Sequence, residues 1–448
     1  MAITEVLDPG PPLLRELRSH HISAIISLKK IITLLAASVG ACLAGPASEI
    51  NEPAGPLRLR QALALALTRS PHLATVSYDI RIGEARILQA KLIPNPELEY
   101  TGENIAGSAN SDLAEHTLLL GQLLELGGKR SARIREARAQ RDLADFDYET
   151  KKREIFLQTA QDFVDVLALQ RRVEINQQLV GVANDFVPVV VKRIEAGKAS
   201  DLEKTRFDVA IGTARIELEQ ARHDLAAARQ RLGSRWGSLK PKFSTVVGNL
   251  DATPRLASLE SLARKLAANP RVARFGAEVA QREAALAREK AAAVPDVSLR
   301  AGGRKINEAN DTTAVIGFSL PLPLWNRNQG NVRAARERID RADAEQAATA
   351  SELMTELTES YENVERARAA IVILRENVLP GADEALKQTG EGYEAGRFSY
   401  LDVLEARRTT GSARIQYLQA LTDYHRALHT VEALTADPRP HNLPGFAK

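Results

Sequence analysis

Hydrophobic and polar positions along this chain follow two different periods, and the change from one to the other happens twice. Ala314, Ile316, Phe318, Leu320 and Leu322 alternate with Thr313, Val315, Gly317 and Ser319, the period of two that marks a strand with one apolar face. Val297, Leu299 and Ala301 against Ser298, Arg300 and Gly302 predict its partner. An earlier pair runs over Glu97 to Ile105 and Glu115 to Leu126, with a polar loop at Ala106 to Asp112. After each pair the period lengthens. Stretches rich in Ala, Glu, Arg and Leu run from Lys129 to Glu195 and from Asn328 to Glu394, which predicts helices roughly 100 Å long at 1.5 Å per residue. Phe156, Ala160, Phe163 and Leu167 in the first, and Leu357, Tyr361, Val364, Ile371 and Val378 in the second, recur at coiled-coil spacing. Pro188 and Pro380 mark expected kinks or breaks near the far ends.

The two passages are copies. Pro71 and Pro270, Pro96 and Pro295, and Gly197 and Gly396 each stand 199 positions apart, in similar surroundings: Ser70-Pro71-His72-Leu73-Ala74 returns as Asn269-Pro270-Arg271-Val272-Ala273. Repeat 1 spans 57–256 and repeat 2 spans 257–436, followed by a tail at 437–448. Each copy opens with a helix (Leu57 to Arg69; Leu259 to Ala268) that stops before a proline, and a second helix runs from that proline to Lys91 or Ala292. A β-hairpin follows, at 97–126 or 296–324, then a long helix out, a turn, and a long helix back, at 129–232 and 328–436. Gly197 and Gly396 suit helix C-termini, and Ser200 and Ser399 suit the caps of the returning helices.

The fold class is therefore mainly α with membrane β, a tandem repeat of β-hairpin plus long coiled-coil helices. Four strands cannot close a barrel, because membrane barrels start at about eight. Open strand edges are not tolerated in lipid, so hairpins in a membrane must be shared between subunits. A dimer would supply eight strands and a trimer twelve, and the wider barrel leaves an open lumen.

Composition narrows the function classes. The chain is 44% hydrophobic and 26% charged, as folded proteins are, and its net charge of +3 comes from interspersed signs that give nucleic acid nothing to bind. Lys29 and Lys30 precede the apolar run Ile31 to Leu43, too short to span a bilayer but suited to a secretory signal, with small residues after it; the signal region is 1–47. Its Cys42 is the sole cysteine, so no disulfide is available. Val39-Gly40-Ala41-Cys42 resembles a lipobox, which would make Cys42 a lipidated N-terminus; the alternative leaves it in a discarded signal. His425 and His429 are four apart on a helix but have no third ligand nearby, so a packed pair is the better reading and no metal site is expected. No phosphate loop, nucleophile elbow or zinc-hydrolase motif occurs, so neither an enzyme nor a cofactor is expected.

The order of elements, the duplication, and the segments Gln122-Leu123-Leu124-Glu125-Leu126-Gly127-Gly128-Lys129-Arg130 and Ser319-Leu320-Pro321-Leu322-Pro323-Leu324-Trp325-Asn326-Arg327-Asn328-Gln329-Gly330-Asn331 resemble the TolC family of outer-membrane factors. The likeness is greatest to its cation-efflux (CzcC-like) branch and covers about residues 57 to 436. It implies a homotrimer, a TolC-like trimeric α-barrel with a shared twelve-stranded β-barrel. Such a protein sits in outer-membrane lipid of a Gram-negative bacterium and extends into the periplasm. There it meets a periplasmic adaptor (membrane fusion protein) and an inner-membrane resistance-nodulation-division pump. The implied function is a passive export duct of a tripartite efflux system for heavy-metal cations (Co, Zn, Cd, Ni or Cu). The alternatives are a drug-efflux or type I secretion duct of the same fold, and a periplasmic coiled-coil adaptor or structural protein.

The segment from Tyr393 to Ala406 is similar to the family's tip motif. The resemblance places adaptor docking at Ala196, Gly197, Lys198, Ala395, Gly396 and Arg397, and a periplasmic gate at Asp402 and Glu405, which lie three apart on one helical face. Repeated threefold, those two would form a carboxylate ring. Against these roles, the glycines serve equally as caps and the acids as partners of a helix dipole. Gly127, Gly128 and Trp325 are the expected strand-to-helix junction residues.

Overall fold

The computed structural model describes residues 52–105 and 113–435. The expected signal region with Cys42, the hairpin loop 106–112 and the tail 437–448 lie outside them.

Repeat 1 begins with β1 (Leu57–Arg58), α1 (Leu59–Arg69) and α2 (Pro71–Lys91). The first helix starts two residues later than its sequence suggests, because Leu57 and Arg58 pair in parallel with Val246 and Val247 of β4 (Val246–Val247). Pro71 opens α2, where its missing N–H leaves no bond unmade. Then come β2 (Glu97–Glu103), β3 (Glu115–Leu124), α3 (Lys129–Glu195) and α4 (Asp201–Ser234). Repeat 2 comprises α5 (Leu259–Ala263) running on as a 3-10 turn, α6 (Pro270–Ala292), β5 (Val297–Ile306) and β6 (Asp311–Ser319). It ends with α7 (Gln329–Ile373), a π turn (Leu374–Val378), α8 (Leu379–Glu394) and α9 (Tyr400–Thr435).

The two proline expectations resolve differently. α3 runs through Pro188 without a break. Pro380 falls in the first turn of α8, immediately after the π turn, whose wider backbone ring accommodates a residue with no N–H. The strands are shorter than their apolar alternation. β3 stops at Leu124 because Gly127 and Gly128, at φ 66 and 72, turn the chain into α3. β6 stops at Ser319 because Pro321 and Pro323 cannot donate to a ladder.

The four hairpin strands form one antiparallel sheet in the order β2-β3-β5-β6. Its ladder stacks residues in rows: Leu98–Leu120–Ala301–Ile316 and Tyr100–Leu118–Gly303–Ala314 lie on one face. That face is apolar and exposed, with Leu98 at 72%, Ile316 at 86% and Phe318 at 78% accessibility. The other face carries Glu97, Glu99, Glu103, Glu115, Arg300 and Arg304, with ion pairs Arg300–Glu99 at 3.1 Å and Arg304–Glu115 at 2.9 Å. At Gly302 a Cβ would sit 1.9 Å from the Leu118 carbonyl oxygen, so only glycine permits the approach of β5 to β3 there. The outer edges of β2 and β6 pair with nothing among the described residues.

Beyond the sheet the helices form a single-layer wall. Near the sheet α2, α3, α6 and α7 lie side by side; farther away the order is α4, α3, α9, then α7 and α8. α3 is central throughout. The main core lies between α3, α7, α9 and the 250–266 segment, with Leu353, Leu357, Val364 and Tyr424 wholly buried. One face of α3 is covered by the β4 segment, since Gln170 bonds both backbone groups of Val246 and a Cβ at Gly248 would run into Leu167 at 2.9 Å. The opposite face, with Arg172, Asn176 and Leu179, lines an open groove.

Candidate functional site

At the end of the wall remote from the sheet, two helix turns stand together. Each is a Schellman motif. Gly197 (φ 66) donates to the Ile194 carbonyl and Lys198 to that of Arg193; Gly396 (φ 76) donates to Tyr393 and Arg397 to Gly392. Ala196, Gly197, Lys198, Ala395, Gly396 and Arg397 are all exposed at this tip.

Under the turns lies an apolar cluster of Ala183, Val190, Phe207, Ile211, Tyr393, Tyr400 and Val403, which joins the ends of all four helices. The Tyr393 hydroxyl donates to Glu203 Oε2 at 3.3 Å, so α8 of repeat 2 is tied to α4 of repeat 1. Arg193 donates to the Tyr393 carbonyl and stacks on its ring, 4.4 Å from the centroid. Gly392 leaves space for Phe398, whose ring would meet a Cβ at 2.1 Å. Burial pushes the Tyr400 phenol well above its ordinary value, and its hydroxyl has no hydrogen-bond partner among the described residues. Burial also lowers Arg407, which donates to the Leu179 carbonyl at 2.6 Å.

Asp402 and Glu405 are exposed on α9 and line a groove of about 1200 Å³ that passes over α3 between α4 and α9, together with Arg172, Arg206, Glu217 and Arg408. The structure thus brings both onto one open face. Asp402 is already engaged: its Oδ2 accepts from Ser399 N and Ser399 Oγ, each at 2.8 Å, while its own N–H donates to Ser399 Oγ at 3.4 Å. This is a capping box, and the two bonds from Ser399 hold the carboxylate below its usual range.

At the other end, a Cβ on Gly127 would lie 2.5 Å from Val294, so the strand-to-helix bend requires glycine there. Lys129 pairs with Asp296 at 2.7 Å and Leu126 N–H donates to the same carboxylate, which fixes the bend. Trp325 stands 87% exposed in a bend between β6 and α7, six residues past the last residue of β6.

One cluster escapes a linear reading of the chain. Asp162 and Asp165 of α3 are buried. Asp162 meets Arg231 of α4 at 3.2 Å and Arg235, the residue just past its C-terminus, at 2.6 Å. Asp165 accepts two bonds from Arg426 of α9, at 2.7 and 2.6 Å, and meets Arg231 at 3.4 Å. The two carboxylates clamp three helices. A shift of 199 places supplies a signal for them: Asp162 and Asp165 correspond to Tyr361 and Val364, so acids replace apolar stripe residues in one copy only.

His425 Nε2 is 2.8 Å from the Leu250 carbonyl, and burial lowers the ring's pKa. His429 Nδ1 lies 2.9 Å from Glu432. The two rings serve separate partners, and no group of three candidate ligands occurs among the described residues.

A duplicated hairpin-and-helix chain with an apolar, exposed sheet face has the makeup of an outer-membrane channel protein. The outer membrane efflux protein family matches residues 62–238 and 262–437, one segment in each repeat, and the chain belongs to that family. It is 36% identical to the cobalt-zinc-cadmium resistance protein CzcC of Cupriavidus metallidurans, over 86% of this chain and 91% of that one. It is 26% identical to the pyoverdine export outer membrane protein OpmQ of Pseudomonas putida, over 84% and 76%. Among solved structures it superposes on CusC with a TM-score of 0.71 at 16% identity, covering 88% of this chain and 96% of that one. With VceC of Vibrio cholerae the TM-score is 0.69 at 17% identity, covering 84% and 96%. The fold is TolC-like, as the sequence suggests.

Proposed function

We propose that three copies of this chain form a passive export duct in the outer membrane of a Gram-negative bacterium, a twelve-stranded barrel continued by a helical tube in the periplasm. The observation that carries this is the open sheet. It has an apolar outer face and edges on β2 and β6 that pair with nothing among the described residues, and β6 of one copy meets β2 of the next antiparallel, as β3 meets β5 within the chain. The helix wall asks for the same closure: Leu202, Val209 and Ile216 recur every seven residues on the free side of α4 and are 57%, 65% and 60% exposed, a seam awaiting another helix. Three copies, rather than two, leave a lumen between the strands.

The exposed glycine turns are the docking points for a periplasmic adaptor and, through it, an inner-membrane resistance-nodulation-division pump, which supplies the energy. Asp402 and Glu405 form the acidic ring near the entrance. The cargo is divalent heavy-metal cations, a reading supported by the names of CzcC and of the nickel-cobalt-cadmium resistance protein NccC of Alcaligenes xylosoxydans xylosoxydans, 23% identical over 64% of this chain. A second reading, export of a small organic molecule, is favoured by the likeness to OpmQ. Deleting the gene and plating on Co, Zn, Cd and Ni separates the two. Metal sensitivity restored by the wild-type gene supports cation export; unchanged metal tolerance with new sensitivity to organic compounds overturns the cargo assignment.

A further inference from the structure

A furrow runs along β5 on the apolar face of the sheet. Its floor is Ala301 and Gly303; Leu118 and Leu120 of β3, backed by Leu98 of β2, stand on one side, and Thr312 of β6 lies at the end toward the hairpin loops. The cavity is about 430 Å³. It lies over the middle strand pair, so closing β2 and β6 against other copies leaves it open to lipid. The next row toward the hairpin loops, His116–Lys305–Thr312, is polar although it shares the apolar face. Lys305 is exposed, and no carboxylate among the described residues pairs with it, whereas Arg300 and Arg304 on the other face are both paired. His116 Nδ1 is held by the Tyr100 hydroxyl at 2.8 Å, which leaves Nε2 for another partner.

Depth explains how such a cation is tolerated. From Val297, beside the strand-to-helix junction, to Lys305, a strand tilted by about 40° climbs roughly 20 Å. That places Lys305 at the far interface, where a lysine costs little and anionic headgroups lie. A chain-sized apolar furrow that ends on an unpaired cation at headgroup depth is complementary to an anionic lipid.

We propose that the furrow holds one acyl chain of a phosphate-bearing lipid from the leaflet at the hairpin-loop end, with its phosphate on Lys305 and His116. This rests on the membrane-barrel reading above. The test reconstitutes the full assembly in nanodiscs of phosphatidylcholine containing a tenth phosphatidylglycerol, then counts retained lipids by native mass spectrometry. Wild type should retain phosphatidylglycerol in excess by about fivefold, the effect of one lysine near an anionic surface. Lys305→Gln should bring that excess close to one, and Gly303→Leu should abolish retention of both lipids. A Cβ at Gly303 meets nothing nearer than 3.7 Å, so this variant fills the furrow without disturbing the backbone. An inserted wild-type trimer with no phosphatidylglycerol excess, an unchanged excess in Lys305→Gln, or unchanged retention in Gly303→Leu would each overturn the lipid site. Failure of wild type to insert at all would instead sink the barrel reading and this proposal with it.

Discussion

Replacing Asp165 by Asn keeps the shape of the side chain and removes the charge on which Arg426 and Arg231 converge. The Asp165 side chain is 11% exposed, and two of its bonds, at 2.7 and 2.6 Å, come from one guanidinium. Breaking a fully buried pair costs about 3–5 kcal/mol, and a hydrogen bond to a charged group is worth about 1.5–3 kcal/mol. Arg426 and Arg231 are 46% and 50% exposed, so both recover water when the carboxylate goes. The loss should therefore fall at the low end, about 2 kcal/mol. Arg231→Gln removes only longer contacts from a half-exposed group and should cost less than about 0.5 kcal/mol. Guanidinium unfolding in lipid vesicles, followed through the buried Trp236, measures both. The cycle with Arg426→Gln isolates the pair: the double variant should be little worse than Asp165→Asn alone. Asp165→Asn within about 0.5 kcal/mol of wild type would refute the clamp, since that is the scale of a surface pair.

Three further outcomes follow from the geometry. His425 is buried with its pKa lowered, so its contribution to stability is full above its unfolded value of about 6.5 and is lost as pH falls from there through the folded value; His425→Phe should flatten that acid limb in pH-dependent unfolding. Gly396→Ala forces a side chain into a left-handed turn at about 1–2 kcal/mol, which should show as faster proteolysis at the tip with the barrel intact. Asp402→Asn can still accept from Ser399 but loses the charge those bonds favour, so it should lower thermal stability only slightly; together with Glu405→Gln it should lower the cation-to-anion permeability ratio in planar bilayers, and an unchanged ratio removes both from the gate.

Features that repeat were the legible ones. The long helix Lys129–Glu195 and the helices from Pro71 and Pro270 fall where periodicity, caps and the 199-residue shift place them, because local rules decide their ends. β1 and β4 were not legible: two-residue strands leave no period, and their partners are far apart in the chain. At Pro188 the helix continues without a break, α3 being long enough to absorb one lost bond, and at Pro380 the expected interruption takes the form of a π turn. At the tip, the exposed glycines and the shared face of Asp402 and Glu405 could be read from spacing, but the box that Ser399 closes on Asp402 required coordinates. The Asp162 and Asp165 clamp was hidden by reading each copy for what it shares. Function-specific asymmetry, such as Arg193 against Gly392 or Ala199 against Phe398, shows only where the copies disagree.

The central claim is that a sheet with two open edges is one third of a membrane duct. It is tested most directly by extracting the protein from outer membranes in mild detergent, weighing the intact assembly, and adding the same sample to a planar lipid bilayer. The account predicts a mass of three chains and discrete conductance steps. A monomer, or a trimer that never conducts, would contradict it.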